Sequence, residues 1–198
     1  LQFHLLKNRA KKIKNNTGYT FKKVDIHFNT FYHDHLPFEL TNGQKKVLKE
    51  IRRDLGKKQQ MNRLLQGDVG SGKTLVALLS MLIAADNGFQ SCIMVPTEIL
   101  ANQHFDTISK LVAKLDINVD LLTGSIKASK RKEIHSKLIN GETNILIGTH
   151  ALLEDVVRFK NLALVIIDEQ HRFGVAQRSK LWRKNEYPPH VLVMTATP

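Results

Sequence analysis

Residues 67–74 read Gly67-Asp68-Val69-Gly70-Ser71-Gly72-Lys73-Thr74, which satisfies the phosphate-binding pattern G-x-x-x-x-G-K-T at every required position. Glycines at this spacing let a backbone wrap closely around a phosphate, with N–H groups turned inward and no Cβ in the way. Asp68, Val69 and Ser71 contribute their backbone to the same cradle. Lys73 can bring a point charge to the β- and γ-phosphates, and the Thr74 hydroxyl is a ligand for Mg²⁺. About a hundred residues on, Leu164-Val165-Ile166-Ile167 forms an apolar strand with two carboxylates, Asp168 and Glu169, at its tip. Asp168 suits the Mg²⁺ that bridges the phosphates, and Glu169 suits polarising an attacking water. Each feature alone has a plainer reading, a glycine-rich turn in one case and an acidic helix cap in the other. Together they point to nucleoside triphosphate hydrolysis.

Such a site needs a frame. The loop follows the apolar run Met61 to Gln66 and precedes a longer one, Leu75 to Ala85, so strand, loop and helix stand in order. The helix adds its positive N-terminal end to the anion site. Further short apolar strands are expected at Ser91–Val95, Val119–Leu122, Asn144–Ile147, Leu162–Ile167 and Val191–Met194. Helices are expected at Glu98–Leu115, Ser129–Ile139 and Val175–Lys184. The alternation predicts an α/β fold, a mainly parallel sheet with helices on both faces. Ligands in such sheets gather beyond the carboxyl ends of the strands. Standing there are Pro96-Thr97-Glu98, Thr123-Gly124-Ser125, Gly148-Thr149-His150, Asp168-Glu169 and Thr195-Ala196-Thr197. Their hydroxyls and backbone N–H groups suit contacts to nucleic-acid phosphates, and equally suit ordinary helix caps.

With 198 residues and 42% apolar content the chain has material for one α/β domain with a core. The single cysteine, Cys92, excludes an intramolecular disulfide and reads as a small buried hydrophobe in a reducing interior. No apolar run approaches the length of a membrane span, and no signal-peptide pattern opens the chain. Because the first residue is not Met, we read the sequence as a fragment.

The net charge of +12 is uneven, with 14 Lys/Arg against 5 Asp/Glu in residues 1–60. A nucleotide site does not require that excess. A nucleic-acid partner does, with a merely solvated face as the alternative. Residues 1–14 are expected to form a short helix, with Leu6, Ala10 and Ile13 on one face and Lys7, Lys11 and Lys14 on another. Tyr19 to His35 reads as an irregular connector, and its His33-x-His35 pair lacks a third metal ligand. Thr41 and Gln44 make a capping box for an amphipathic helix that Gly56 ends. Its apolar stripe is Val47, Leu48, Ile51 and Leu55, opposed by Lys45, Lys46, Lys49, Arg52 and Arg53. Gln44 has two readings, the helix cap and a contact to adenine.

Asp168-Glu169-Gln170-His171 resembles the DExH box of superfamily 2 helicases. Gly67–Thr74 is similar to their first motif, and Thr195-Ala196-Thr197 to their third. More narrowly, 66–74, Pro96 to His104 and Ile167 to Arg178 resemble the RecG family of bacterial branched-DNA translocases. Leu36 to Gln44 resembles the start of that family's helicase domain, where a glutamine contacts adenine. The likeness runs from about Leu36 to Pro198 and is faint over residues 1–35. The transcription-repair coupling factors come second, because they usually carry Glu where this chain has Gln170.

The resemblance implies a first RecA-like motor domain over residues 36–198, preceded by a helix and connector from an upstream domain. It implies a monomer of the bacterial cytoplasm that uses ATP and Mg²⁺ to pump branched duplex DNA at stalled forks and Holliday junctions. It assigns the chemistry to Lys73, Asp168, Glu169 and His171, the last linking the ATP site to the DNA side. It places Thr97, Glu98, His104, Thr123, Gly124, Gly148, Thr149 and His150 on the DNA side. Thr195 and Thr197 would couple hydrolysis to domain movement. The family's wedge and second RecA-like domain have no counterpart in these residues. The arginine that completes the ATP site would come from that second domain, so this extent of chain alone is expected to hydrolyse ATP barely and not to translocate. The other class of function open to the residues is a nucleotide-dependent nucleic-acid-binding or regulatory protein without motor activity.

Overall fold

Short apolar segments separated by polar turns become the strands of one sheet. In a computed structural model, describing residues 4–7, 18–168 and 187–196, that sheet has seven strands. They are β1 (His4–Lys7), β2 (Asn62–Gly67), β3 (Gln90–Met94), β4 (Val119–Leu122), β5 (Ile145–Gly148), β6 (Leu162–Asp168) and β7 (His190–Ala196). Their order is β1-β2-β7-β6-β3-β5-β4, with β1 antiparallel to β2 and the other pairs parallel. Residues of one strand alternate between two cores. Leu164 and Ile166 of β6 face one, with Leu192 and Met194 of β7, while Val165 and Ile167 face the other, with Val191 and Val193. A strand buried on both sides has no polar face to alternate with, which explains the continuous apolar runs in the sequence.

Among the described residues, five α-helices cover the faces: α1 (Ile26–Thr30), α2 (Asn42–Leu55), α3 (Lys73–Asp86), α4 (Glu98–Val112) and α5 (Ala128–Asn140). The first four contribute to one core, and α5 joins a 3₁₀ turn at His150–Leu153 in the other. Helix α3 is buried at every position from Leu75 to Ala84, because the sheet covers one side and α1 and α2 cover the other. The capping box of α2 is formed as expected: Gln44 N–H donates to Thr41 Oγ1 at 3.2 Å, and Thr41 N–H to Gln44 Oε1 at 2.8 Å. Under α2, the buried Arg63 guanidinium of β2 pairs with Asp54, while Glu50 stands 3.6 Å away. Burial alone would raise the Asp54 carboxyl, but hydrogen bonds from Lys57 and Arg63 overcome it and hold the group below its usual range.

Two expectations for the N-terminal segment change. Residues 4–7, expected within a helix, form a strand, because the open edge of β2 offers backbone partners from His4↔Gln66 to Lys7↔Arg63. The connector is ordered into α1, which continues as a π-helical turn at Phe31–His35. Its cap comes from far away. The Asp86 carboxylate accepts from the N–H groups of Asp25, His27 and Phe28 at 2.8–3.2 Å. Asn87 Oδ1 accepts from Lys22 and Lys23 N–H, so the last turn of α3 holds the segment on both sides of Val24. The expected helix at Val175–Lys184 lies outside the described residues.

Candidate functional site

Strand register shows which tips lie together. Gly67 pairs with Ala196, Asp168 with Met194, Ile167 with Met94, and Gly148 with both Met94 and Leu122. The phosphate-binding loop, Thr195, Asp168, Pro96-Thr97, Gly148-Thr149 and Thr123 therefore stand along one edge. Among the described residues, the sheet brings the phosphate loop and Asp168 to the same side.

In the loop, Gly70 and Gly72 take φ of 75° and 82°, in the left-handed region where other residues are strained. At Gly72 a Cβ would also collide with the Gln44 side-chain amide. Gln44 is buried, and its Nε2 donates to the Ser71 carbonyl at 2.9 Å while its Oε1 completes the α2 cap. Both readings of Gln44 thus meet a third role, a brace between α2 and the loop. The Lys73 ammonium donates to the carbonyls of Gly67 at 2.7 Å and Asp68 at 2.8 Å, folded over its own loop. Burial holds Lys73 below the usual lysine range, and the carboxylates of Asp168 and Asp68 pull it partway back. Ser71 is 4% exposed, and its hydroxyl has no hydrogen-bond partner among the described residues. A buried hydroxyl left unpaired costs stability unless something else satisfies it. An anion in the loop would do so, with Lys73 and the α3 N-terminus beside it, so the residues fit a bound polyphosphate.

Asp168 ends β6, and its Oδ2 lies 2.8 Å from Nε2 of His104 on α4. The sequence alone placed His104 on the DNA side and showed no link to the acidic pair. Thr97 caps α4, accepting from Leu100 N–H at 3.3 Å. Glu98 reaches across to the β4–α5 turn, accepting from Ser125 N–H at 3.1 Å and Ser125 Oγ at 2.7 Å. That hydroxyl, with His150 nearby, lowers the Glu98 carboxyl from its usual range. The Thr123 hydroxyl bonds Ser125 Oγ at 3.0 Å, and its carbonyl accepts from Arg131, which also pairs with Glu154. Sequence reasoning passed over Ser125 and Arg131 as partners because nothing local marks them. Gly124 is exposed above Glu98. Gly148 has a packing reason, since a Cβ there would run into the Leu122 carbonyl of β4. Thr149 is buried, His150 is exposed, and the Thr195 hydroxyl donates to the Ala196 carbonyl at 3.2 Å. Glu169, His171 and Thr197 lie outside the described residues.

The basic face of α2 opens elsewhere. Lys49, Arg52 and Arg53 form one wall of a groove, with Phe21, Lys22 and Val24 of the connector on the other. Glu50 and Asp54 of the same helix are spent inward on Arg63 and Lys57. Among the described residues, the groove cations make no ion pair.

A family model described as DEAD/DEAH box helicase matches residues 41–198. The ATP-dependent DNA helicase RecG of Bacillus subtilis is 57% identical over 163 residues, covering 82% of this chain and 24% of that protein. RecG of Thermotoga maritima is 48% identical over 190 residues, covering 96% of this chain and 24% of its own. A solved structure of RecG bound to a three-way DNA junction superposes with a TM-score of 0.82 at 46% identity, over 92% of this chain and 24% of that one. The chain spans about a quarter of the length of the relatives it matches.

Proposed function

Because this chain belongs to the DEAD/DEAH box helicase family, we propose that it is the first motor domain of a translocase that uses ATP and Mg²⁺ to move branched duplex DNA. The carrying observation is the shared edge. Lys73 and Asp168 lie within electrostatic reach of each other there, with the Thr97–Glu98 turn after β3, the neighbour of β6, and the Thr123–Ser125 turn after β4, two strands further on. Similarity to RecG, which in a solved structure holds a three-way junction, supports branched DNA as the substrate.

In this reading the loop N–H groups and the Ser71 hydroxyl bind the β- and γ-phosphates. Lys73 exchanges the carbonyls of Gly67 and Asp68 for phosphate oxygens. Thr74 and Asp168 hold Mg²⁺, which when bound neutralises charge on the phosphates. Glu169 orients the attacking water, and His171 and Thr195 with Thr197 pass the state of the site to the DNA side. Thr97, Gly124 and His150 contact DNA phosphates without reading sequence, and the buried Thr123 and Thr149 support the turns that carry them. The α2 groove adds a second set of phosphate contacts. The full-length protein carries a second motor domain and an upstream junction-gripping domain, and it acts as a monomer in the bacterial cytoplasm.

The test is calorimetric titration of the full-length protein with Mg²⁺ and a non-hydrolysable ATP analogue, alongside junction-stimulated ATPase. Nucleotide binding with DNA-stimulated turnover supports the motor. Binding with no DNA-dependent turnover or movement means a passive nucleotide-dependent DNA binder.

A further inference from the structure

Helix α4 buries Ala101, His104, Ile108 and Val112 along one stripe. Three of these fill the core with apolar groups, and a leucine would serve the packing at the fourth. His104 is 8% exposed, so its imidazole is withdrawn from water at a position where packing alone does not ask for one. Its Nε2 finds Asp168 Oδ2 at 2.8 Å, across a sequence separation of 64 residues. A carboxylate only accepts, so Nε2 carries the proton and donates.

From the loop side, the Lys73 charge also acts on Asp168. The carboxylate is therefore within electrostatic reach of a cation on α3 and in hydrogen-bond contact with an imidazole on α4. Helix α4 is itself fixed at its first turn, where Thr97 caps it and Glu98 is bonded twice to Ser125. His104 lies seven residues after Thr97, roughly 10 Å along the helix axis. One short rigid element thus spans from the turn beside Ser125 to the tip of β6.

We infer that His104 is a positioning residue for Asp168, orienting the carboxylate that takes Mg²⁺ and tying it to the helix that begins on the DNA side. The inference rests on the reading of the edge as an ATP–Mg²⁺ site. Hydrogen bonds to a metal-ligating carboxylate fix its rotamer before the metal arrives. Removing such an outer partner costs about 10–100-fold in metal affinity. His104 touches neither nucleotide nor metal in this role. It acts through Asp168.

The experiment uses the full-length protein and follows a fluorescent ATP analogue as Mg²⁺ is titrated, with nucleotide-free junction binding measured in parallel. H104L keeps an apolar volume in the stripe and removes the donor, and H104Q returns an N–H near the Nε2 position. For H104L the Mg²⁺ midpoint is expected to rise about 10–100-fold, with metal-free nucleotide binding and nucleotide-free DNA binding unchanged. For H104Q most of that loss is expected to be recovered. An unchanged Mg²⁺ midpoint in folded H104L overturns the inference. So does a loss of nucleotide-free DNA binding at an unchanged midpoint, which would make His104 a DNA contact. If H104L fails to fold, H104Q carries the test, and a midpoint shifted as far as in H104A overturns the hydrogen-bond role. Wild-type protein that binds the analogue equally with and without Mg²⁺ would instead remove the reading of the site on which the inference rests.

Discussion

The two edges of the sheet are built in opposite ways. At the edge that carries the phosphate loop, the loop and the α4 cap are held locally: Lys73 reaches carbonyls five and six residues back, and Thr97 caps a residue three ahead. Gln44–Ser71, Glu98–Ser125 and His104–Asp168 add bonds that span 27 to 64 residues. Backbone there is exposed, as at Asp68, Val69 and Gly70, and the Ser71 hydroxyl has no partner among the described residues. At the other edge the polar groups are consumed over long separations. His190 accepts from Met61 N–H at 2.9 Å and donates to the Tyr19 carbonyl at 2.7 Å, spanning 129 and 171 residues. Asp86 and Asn87 reach back 58 to 65 residues. One edge leaves exposed backbone and the Ser71 hydroxyl to meet a ligand, and the other spends its polar groups on bonds of 58 to 171 residues that hold the chain together. Function and stability are thereby separated across about the length of a strand.

Substitutions should respect that division. The largest effect is expected for R63A at the stabilising side, which leaves Asp54 with Lys57 as its remaining partner beside a buried gap. Breaking such a pair costs about 3–5 kcal/mol, read as a lower denaturant midpoint, with the phosphate loop untouched in the protein that remains folded.

Next comes a pH effect at the same edge. Burial lowers His190 to about 4, against the opposing pull of the Tyr19 carbonyl and Asp54. Between that value and the unfolded value near 6.5, the unfolded chain binds a proton that the folded chain refuses. Stability is therefore complete above about pH 6.5 and falls as pH drops to about 4, by roughly 3 kcal/mol from this group. Chemical denaturation across that range should show a shallower decline in H190Q.

At the working edge the expectation reverses. K73A should weaken Mg²⁺–ATP binding by about 10–100-fold, as loss of one hydrogen bond to a charged partner does, with the thermal midpoint nearly unchanged. A large drop in melting temperature would break the comparison, because it would make the loop lysine a structural group.

The smallest effect tests the groove. Reversing Lys49 and Arg52 should flatten the log–log salt dependence of duplex binding by about 0.9 for each phosphate that is no longer neutralised. An unchanged slope would leave that face as solvated charge.

The same division explains what the sequence could disclose. Local devices were legible: the phosphate loop, the capping box of Thr41 and Gln44, Gly56 as the end of α2, and the apolar strands that set the parallel sheet. Residues 4–7 were not, since pairing with β2 supplies the strand and the local sequence alone reads as part of a short amphipathic helix. Nor was α1, whose cap is an aspartate 58 to 61 residues later. The link from His104 to Asp168 was hidden for the same reason: both residues sit in apolar patterns that explain themselves without each other.

Helix α3 begins in the phosphate loop and ends at the two residues that hold the segment from Lys22 to Phe28. Its ten successive buried positions are packed between the sheet and the helices α1 and α2. For anyone attaching a spectroscopic label, the consequence is practical. A dye on the connector near Lys23 and a dye beside the loop are expected to keep one separation as nucleotide is added, and a change in transfer between them would show that α3 bends. That pair is an internal ruler, against which the displacement of any other part of the protein can be measured.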